Sequence, residues 1–426
     1  MNTTELKKAL MNGSYDERLI YIYGQAALAS QKARYAKAVD EFEALYGADR
    51  DVALYSVAGR SEISGNHTDH NLGRVIAASI DLDIIAVAAP RQDRTVRIKS
   101  EGFPEDTVDL DSFTEPRTDR FDRSDALIAG VAAGFCAKGF AVGGFDAYTT
   151  SNVLKGSGIS SSAAFEDMVG NILSHMYNDG KVDNVEIAKI SQFAENKFFG
   201  KPCGLMDQVA CAVGGIVGID FADPSAPVIE KLDFDITAAG YNLCIINTGG
   251  NHADLTDDYA AIPREMKAVA AELGKTVLRE VDRADLIAAV PALRQKLGDR
   301  AILRAFHFLA ENERVALQTE ALRQGDLDTF FANVLASGRS SFCYLQNVFT
   351  TKNVAEQGVS LALCLADTFL SSKAAAWRVH GGGFAGTIQA FVRTEDVEDF
   401  RAYMDAALGE GHCMVLRIRP VGATKI

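Results

Sequence analysis

No apolar run in this 426-residue chain approaches the ~18 uninterrupted residues that a membrane-spanning helix needs. The opening residues, Met-Asn-Thr-Thr-Glu-Leu-Lys-Lys, also lack the apolar stretch of a signal peptide, so the expectation is a cytoplasmic protein. Positive charge is not in excess either. Forty-three Lys and Arg stand against 57 Asp and Glu, a formal net charge of -14. That balance excludes a general nucleic-acid or anionic-membrane surface, because both need surplus cations to neutralise phosphates. The seven cysteines include no Cys-x-x-Cys pair and no Cys/His cluster at zinc spacing, which points to small apolar residues in a reducing compartment rather than a metal–thiolate site. No repeat and no low-complexity tract is visible. The chain also lacks a Walker A loop and the third glycine of a dinucleotide fingerprint.

What is present is a globular composition, 48% hydrophobic and 23% charged, in a chain too long for one ordinary core. Prolines number only nine, so the two in Phe221-Ala-Asp-Pro-Ser-Ala-Pro227 mark a boundary. The expected domains are 1–222, with a helical extension over 1–46 packed as a collar, and 223–426. Strand patterns are read at Val52 to Val57, Val75 to Val87, Thr95 to Ile98, Phe145 to Thr150, Tyr241 to Asn247 and Thr387 to Val392. Helical periodicity is read at Asp125 to Lys138, from Ala163, at Asn184 to about Phe198, at Ser360 to Ala376 and at Glu395 to Ala407. This interleaving gives an α+β or α/β layered class.

Three polar or glycine-rich loops interrupt these elements: Gly59 to Gly73, Gly156 to Ser162 and Gly381 to Gly386. The second is built like a phosphate cradle. Gly156 and Gly158 let the backbone approach a ligand, and Ser160, Ser161 and Ser162 fall where a helix begins with unpaired N–H groups. Asp207 is an acid in apolar company, between Leu205, Met206, Val209 and Ala210, which is costly unless the acid is paired or functional. It also stands where it could cap the following helix.

The three loops, with Gly204-Leu-Met-Asp-Gln208, resemble in order and spacing the galactokinase family of the GHMP kinase superfamily, over essentially all of the chain after about residue 35. The first loop is similar to Gly-Arg-x-x-x-x-Gly-Glu-His-Thr-Asp-Tyr-Asn, the second to Pro-x-Gly-x-Gly-Leu-Ser-Ser-Ser-Ala, the third to Gly-Gly-Gly-Phe-Gly-Gly. The resemblance implies a two-domain α+β GHMP-kinase-like architecture with the active site in the inter-domain cleft. It implies transfer of the ATP γ-phosphoryl group to the anomeric hydroxyl of a sugar, galactose first, with no covalent enzyme intermediate. The implied ligands are ATP, Mg2+ and the sugar, with no nucleic acid, membrane or protein partner.

By the same resemblance Asp207 and Arg60 are catalytic, and Gly156, Ser157, Gly158, Ser160 and Ser161 wrap the triphosphate. Ser162 and Glu195 supply oxygen ligands to the metal. Asn66, His67, Asp69 and Tyr259 hold the sugar. The chain departs from the family pattern at several places: Ser61-Glu62-Ile63-Ser64 is more polar, Asn66 replaces Glu, His70 replaces Tyr, Leu154 replaces Pro and Ala385 replaces Gly. A neutral Asn66 predicts a pocket that tolerates a modified galactose such as galacturonate. The alternatives are thus a kinase for another aldose or uronic acid, or a non-catalytic paralogue that senses sugar and ATP. His380, at the edge of the third loop, is expected to be structural.

Overall fold

β1 (Ala53–Ser64) and β2 (Arg74–Pro90) form an antiparallel spine on which the molecule is built. Their side chains alternate between two cores, as a two-residue period requires. Tyr55, Val57, Ile84 and Ala86 face one core, Leu54, Ile85 and Val87 the other. The computed structural model describes residues 1–153, 159–250 and 255–426.

β3 (Thr95–Ser100), β4 (Glu105–Asp109) and β5 (Phe145–Ser151) extend the first sheet beyond one half of β2, with β3 and β5 parallel. β6 (Ile216–Asp220) pairs with the other half of β2, and β7 (Val228–Leu232) pairs with β6. A second, antiparallel sheet has the order β11-β8-β10-β9, from β8 (Tyr241–Asn247), β9 (Ala376–His380), β10 (Thr387–Arg393) and β11 (Cys413–Leu416). β12 (Thr424–Lys425) then returns to β1. Among the described residues the first sheet has eight strands and the second four.

Helices α1 (Thr3–Met11), α2 (Asp16–Tyr23) and α3 (Leu28–Tyr46) cover one face of the first sheet, forming the collar expected from the sequence. On the other face lie α4 (Ser124–Ala137), α5 (Ser161–Tyr177), α6 (Asn184–Ala194) and α7 (Met206–Val213). α8 (Thr256–Glu272), α9 (Arg283–Leu297) and α10 (Asp299–Gln324) share a third core. α11 (Leu327–Ser340) packs Phe330 and Val334 into the first core, while α12 (Gly358–Leu370) and α13 (Val397–Leu408) cover the second sheet.

Three expectations are revised. β1 does not end at Val57 but runs through Gly59, Arg60 and on to Ser64, with register shifts at Ala58/Arg60 and Glu62/Ser64 that absorb the polar segment as bulges. The helix expected to reach Ala376 stops at Leu370, because Ala376 to His380 pair with β10, and sheet pairing overrides the helix propensity of the alanine run. The helix expected from Asn184 to about Phe198 is present, its last stretch, Glu195–Phe199, being wound as a π-type turn after α6 ends at Ala194. The first sheet also runs past the boundary expected at 222, since β7 belongs to it and β12 rejoins it.

Candidate active site

The bulge in β1 turns Arg60 toward the start of α7. Its Nε and Nη2 donate to the two carboxylate oxygens of Asp207, at 2.8 Å each. This fork-to-carboxylate geometry is the strongest form of ion pair. The Ser160 hydroxyl donates to Asp207 Oδ2 as well. Burial alone would push the Asp207 carboxyl up; the Arg60 charge and these hydrogen bonds outweigh it and hold the group below its usual range. Asp207 does not cap α7, whose N-cap is Leu205; it is the second residue of the helix, in the first turn.

Ser160 is the N-cap of α5 and adopts a left-handed backbone, φ +60°, so the helix starts at Ser161 as the sequence suggests. One residue on, the Ser162 hydroxyl lies 3.4 Å from Glu195 Oε1. The π-type turn sets Glu195 against α7, where Gln208 Nε2 donates to its Oε2 at 2.8 Å. Lys201 Nζ is 3.0 Å from Oε1. One hydroxyl and one carboxylate are hard oxygen donors, and among the described residues no group of three His, Cys, Asp or Glu side chains is placed to hold an ion unaided. That donor set fits Mg2+, which is held by one or two protein oxygens together with substrate phosphates.

His67 is strained into φ +59°, and its Nε2 donates to the Gly382 carbonyl at 3.0 Å. Tyr259 OH donates to the next carbonyl, Gly383, at 2.9 Å, and its ring meets Phe384 edge-on at 5.3 Å between centroids. Burial pushes that phenol up to about 12. Asp69 reaches so close to Gly204 that a Cβ there would lie 2.7 Å from Oδ2 and would push the carboxylate aside. Burial pushes the Asp69 carboxyl up, His67 opposes this, and Asp207 adds to it.

Asn66 departs from its expected place. It is fully buried, and all four of its side-chain hydrogen bonds are made within the protein. Nδ2 donates to Gly381 O at 2.6 Å and to Glu62 Oε1 at 3.1 Å, while Oδ1 accepts from Asn347 at 2.8 Å and Ser341 at 3.2 Å. An amide saturated in this way has no donor or acceptor to offer a sugar, so the sugar-contact role and the broadened specificity drawn from it are withdrawn.

The polar run Ser61 to Ser64 finds its partners in the second half of the chain. Glu62 pairs with buried Arg378 at 2.8 Å, and Ser64 donates to Gln318 at 2.5 Å. Ser61 donates to His380 Nε2 at 3.1 Å. His380 donates its single ring N–H, at Nδ1, to Thr387 and is pushed down to about 3 by burial, so it stays neutral and structural. Gly156, Ser157 and Gly158 lie outside the described residues. Sequence reasoning passed over Lys201 and Gln208, the second although it stands inside the quoted Gly-Leu-Met-Asp-Gln motif.

Residues 126–215 match the family described as GHMP kinases N terminal domain, and residues 40–90 match the galactokinase galactose-binding signature. The galactokinase of Streptomyces coelicolor is 31% identical over 365 residues, covering 84% of this chain and 89% of that one. The galactokinase of Lactobacillus helveticus is 30% identical, covering 80% and 86%. In three dimensions the chain resembles Lactococcus lactis galactokinase complexed with galactose, with a TM-score of 0.77 at 24% identity over 92% of this chain and all of that one. It also resembles Methanococcus jannaschii mevalonate kinase, at 0.61 and 13% identity over 86% and 98%. The shared α+β architecture is that of the GHMP kinases, and the extent of identity with the Streptomyces enzyme decides the closer kinship: the chain belongs to the galactokinase family.

Proposed function

We propose that this protein transfers the γ-phosphoryl group of ATP to the anomeric hydroxyl of galactose. The observation that carries the reading is the Arg60–Asp207–Ser160 cluster at the start of α5, in a chain of galactokinase kinship. The acceptor O1 attacks the γ-phosphorus, its O–H bond breaks as the new P–O bond forms, and the bridging P–O bond breaks with its electron pair leaving on ADP. Asp207 orients the hydroxyl and takes its proton as the oxygen's charge passes to phosphorus, then releases it to water. A carboxylate held low by Arg60 is a weak base for a resting alcohol, so its effect rests on position and on the acidity the hydroxyl gains in the transition state.

Arg60 keeps Asp207 ionised and lies beside the transferred group. A magnesium ion would neutralise phosphate charge when bound; Ser162 and Glu195 are the residues that would hold it. Gly156, Ser157, Gly158, Ser160 and Ser161 are assigned to the triphosphate, and His67, Asp69 and Tyr259 to the sugar hydroxyls. The experiment is ATP turnover by the purified chain with Mg2+ against galactose, galacturonate, N-acetylgalactosamine, arabinose and glucose. Galactose is expected to be the best substrate, with galactose 1-phosphate as product; no turnover with galactose would sink the reading.

A further inference from the structure

Lys201 lies in Gly200-Lys-Pro-Cys-Gly204, between the π-type turn and α7. Its ammonium is 3.0 Å from Glu195 Oε1, and the two partners are unlike: the Glu195 side chain is 3% exposed, the Lys201 side chain 59%. Gln208 fixes the carboxylate from the protein side, whereas the lysine stem is solvated and has four rotatable bonds. A carboxylate this deeply buried requires a cation nearby, and Lys201 supplies it. The oxygen that Lys201 touches is the one 3.4 Å from Ser162, so the ammonium holds the same carboxylate oxygen that Glu195 would offer a metal ion. It also lies within electrostatic reach of Asp207. It therefore stands beside the proposed metal ligands and close to the proposed proton acceptor, at the N-terminal end of α5, the region through which a phosphoryl group must pass.

A divalent cation on Glu195 would repel the ammonium from that oxygen, and phosphate oxygens would then be the anions within reach of its stem. We propose that Lys201 is a further catalytic residue, whose ammonium moves from Glu195 to the transferred phosphoryl group when metal and nucleotide arrive and balances the charge that spreads over its oxygens. This rests on the kinase reading above. The bonds made and broken are those already given; Lys201 contributes charge and hydrogen bonds and exchanges no proton.

The test compares the full chain with Lys201→Met and Lys201→Arg, by steady-state kinetics in ATP, galactose and Mg2+. A second readout without turnover is Mn2+ binding, followed by electron paramagnetic resonance in the presence of a non-hydrolysable ATP analogue. The expected result is a kcat about 10²-fold lower for Lys201→Met, the usual loss for one transition-state donor. Lys201→Arg should recover about tenfold of this, since the charge returns with altered geometry. Mn2+ half-saturation of Lys201→Met should equal the parent's or fall below it, because a competitor for Glu195 has gone. If Lys201 only pins Glu195, Lys201→Met will instead need more Mn2+ and will regain full turnover at high Mg2+, which overturns the proposal. An unchanged kcat at all metal concentrations overturns it as well. A parent that turns over no sugar would overturn the kinase reading itself, an outcome visible before any variant is made.

Discussion

Asp207 meets a guanidinium, a hydroxyl and a helix start at one point, and each contact favours its ionised form. Asp207→Asn keeps the shape and removes the acceptor. Turnover should fall by about 10² or more while galactose binding, followed by calorimetry, stays within about tenfold. A variant with near-parental kcat would show that the carboxylate has no part in the transfer. Asn66→Glu has a different expected outcome from the one its sequence position suggests. The new carboxylate would be buried against Glu62 and the Gly381 carbonyl, with the adjacent Arg378 already engaged by Glu62, so the variant should lose about 3 kcal/mol or more of stability in denaturant titration. Its relative activity over the sugar panel should not change. Asp207 could be picked out in the sequence because an acid among apolar neighbours demands a partner, whereas Arg60 is marked only by the family resemblance. Asn66 could not be read, because most of what saturates it comes from Ser341, Asn347 and Gly381, 275 to 315 residues away in the chain.

α5 carries an unusual load for a buried helix. Glu166 and Asp167 are both fully buried, and among the described residues neither Asp167 oxygen has a partner in good hydrogen-bond geometry, though Ser191 is close enough to favour its ionised form. Burial pushes the Asp167 carboxyl well above its ordinary value, with the charges of Asp207 and Glu195 adding to the shift. A carboxyl raised on folding contributes stability below its unfolded value near 3.8 and loses it as pH rises toward the folded one. Asp167→Asn should therefore raise the melting temperature more at pH 8 than at pH 5, by about 1 °C for each kcal/mol gained in a chain of this length. Equal shifts at both pH values would mean that Asp167 is ionised in the fold.

At this scale the sequence was readable where one period ran cleanly, as in the alternating faces of β2 and the first turns of α5. It was not readable at Gly59 to Ser64, where a strand has the composition of a loop because Gln318, Arg378 and His380 supply its polar partners. Gly200 to Gly204 reads as chain punctuation, and only the π-type turn brings its lysine to Glu195.

The molecule is closed by its C-terminal segment. Arg419 and Asp83 are both completely buried and pair at 2.9 Å, with Ser56, Tyr23 and Arg34 completing the cluster beneath the collar. Burial alone would raise the Asp83 carboxyl; Arg34 and Arg419 outweigh it and lower it, so its contribution is present above the unfolded value near 3.8 and is lost as pH falls through the folded one. Arg419→Met should cost about 3–5 kcal/mol in chemical denaturation, since it leaves Asp83 half-compensated in a dry site. A loss below about 1 kcal/mol would mean that Arg34 alone suffices.

The position of this closure in the chain has a consequence for synthesis. β1 and its main partner β2 are made early, but the second partner strand of β1, β12, and the arginine beneath it are encoded at residues 419–425. At about 5–20 residues per second, the segment after β7 takes roughly 10–40 s to emerge. Through that interval the collar, β1 and the Asp83 carboxylate stand assembled without their last cation, a window in which a ribosome-bound chaperone would find this half of the protein unfinished.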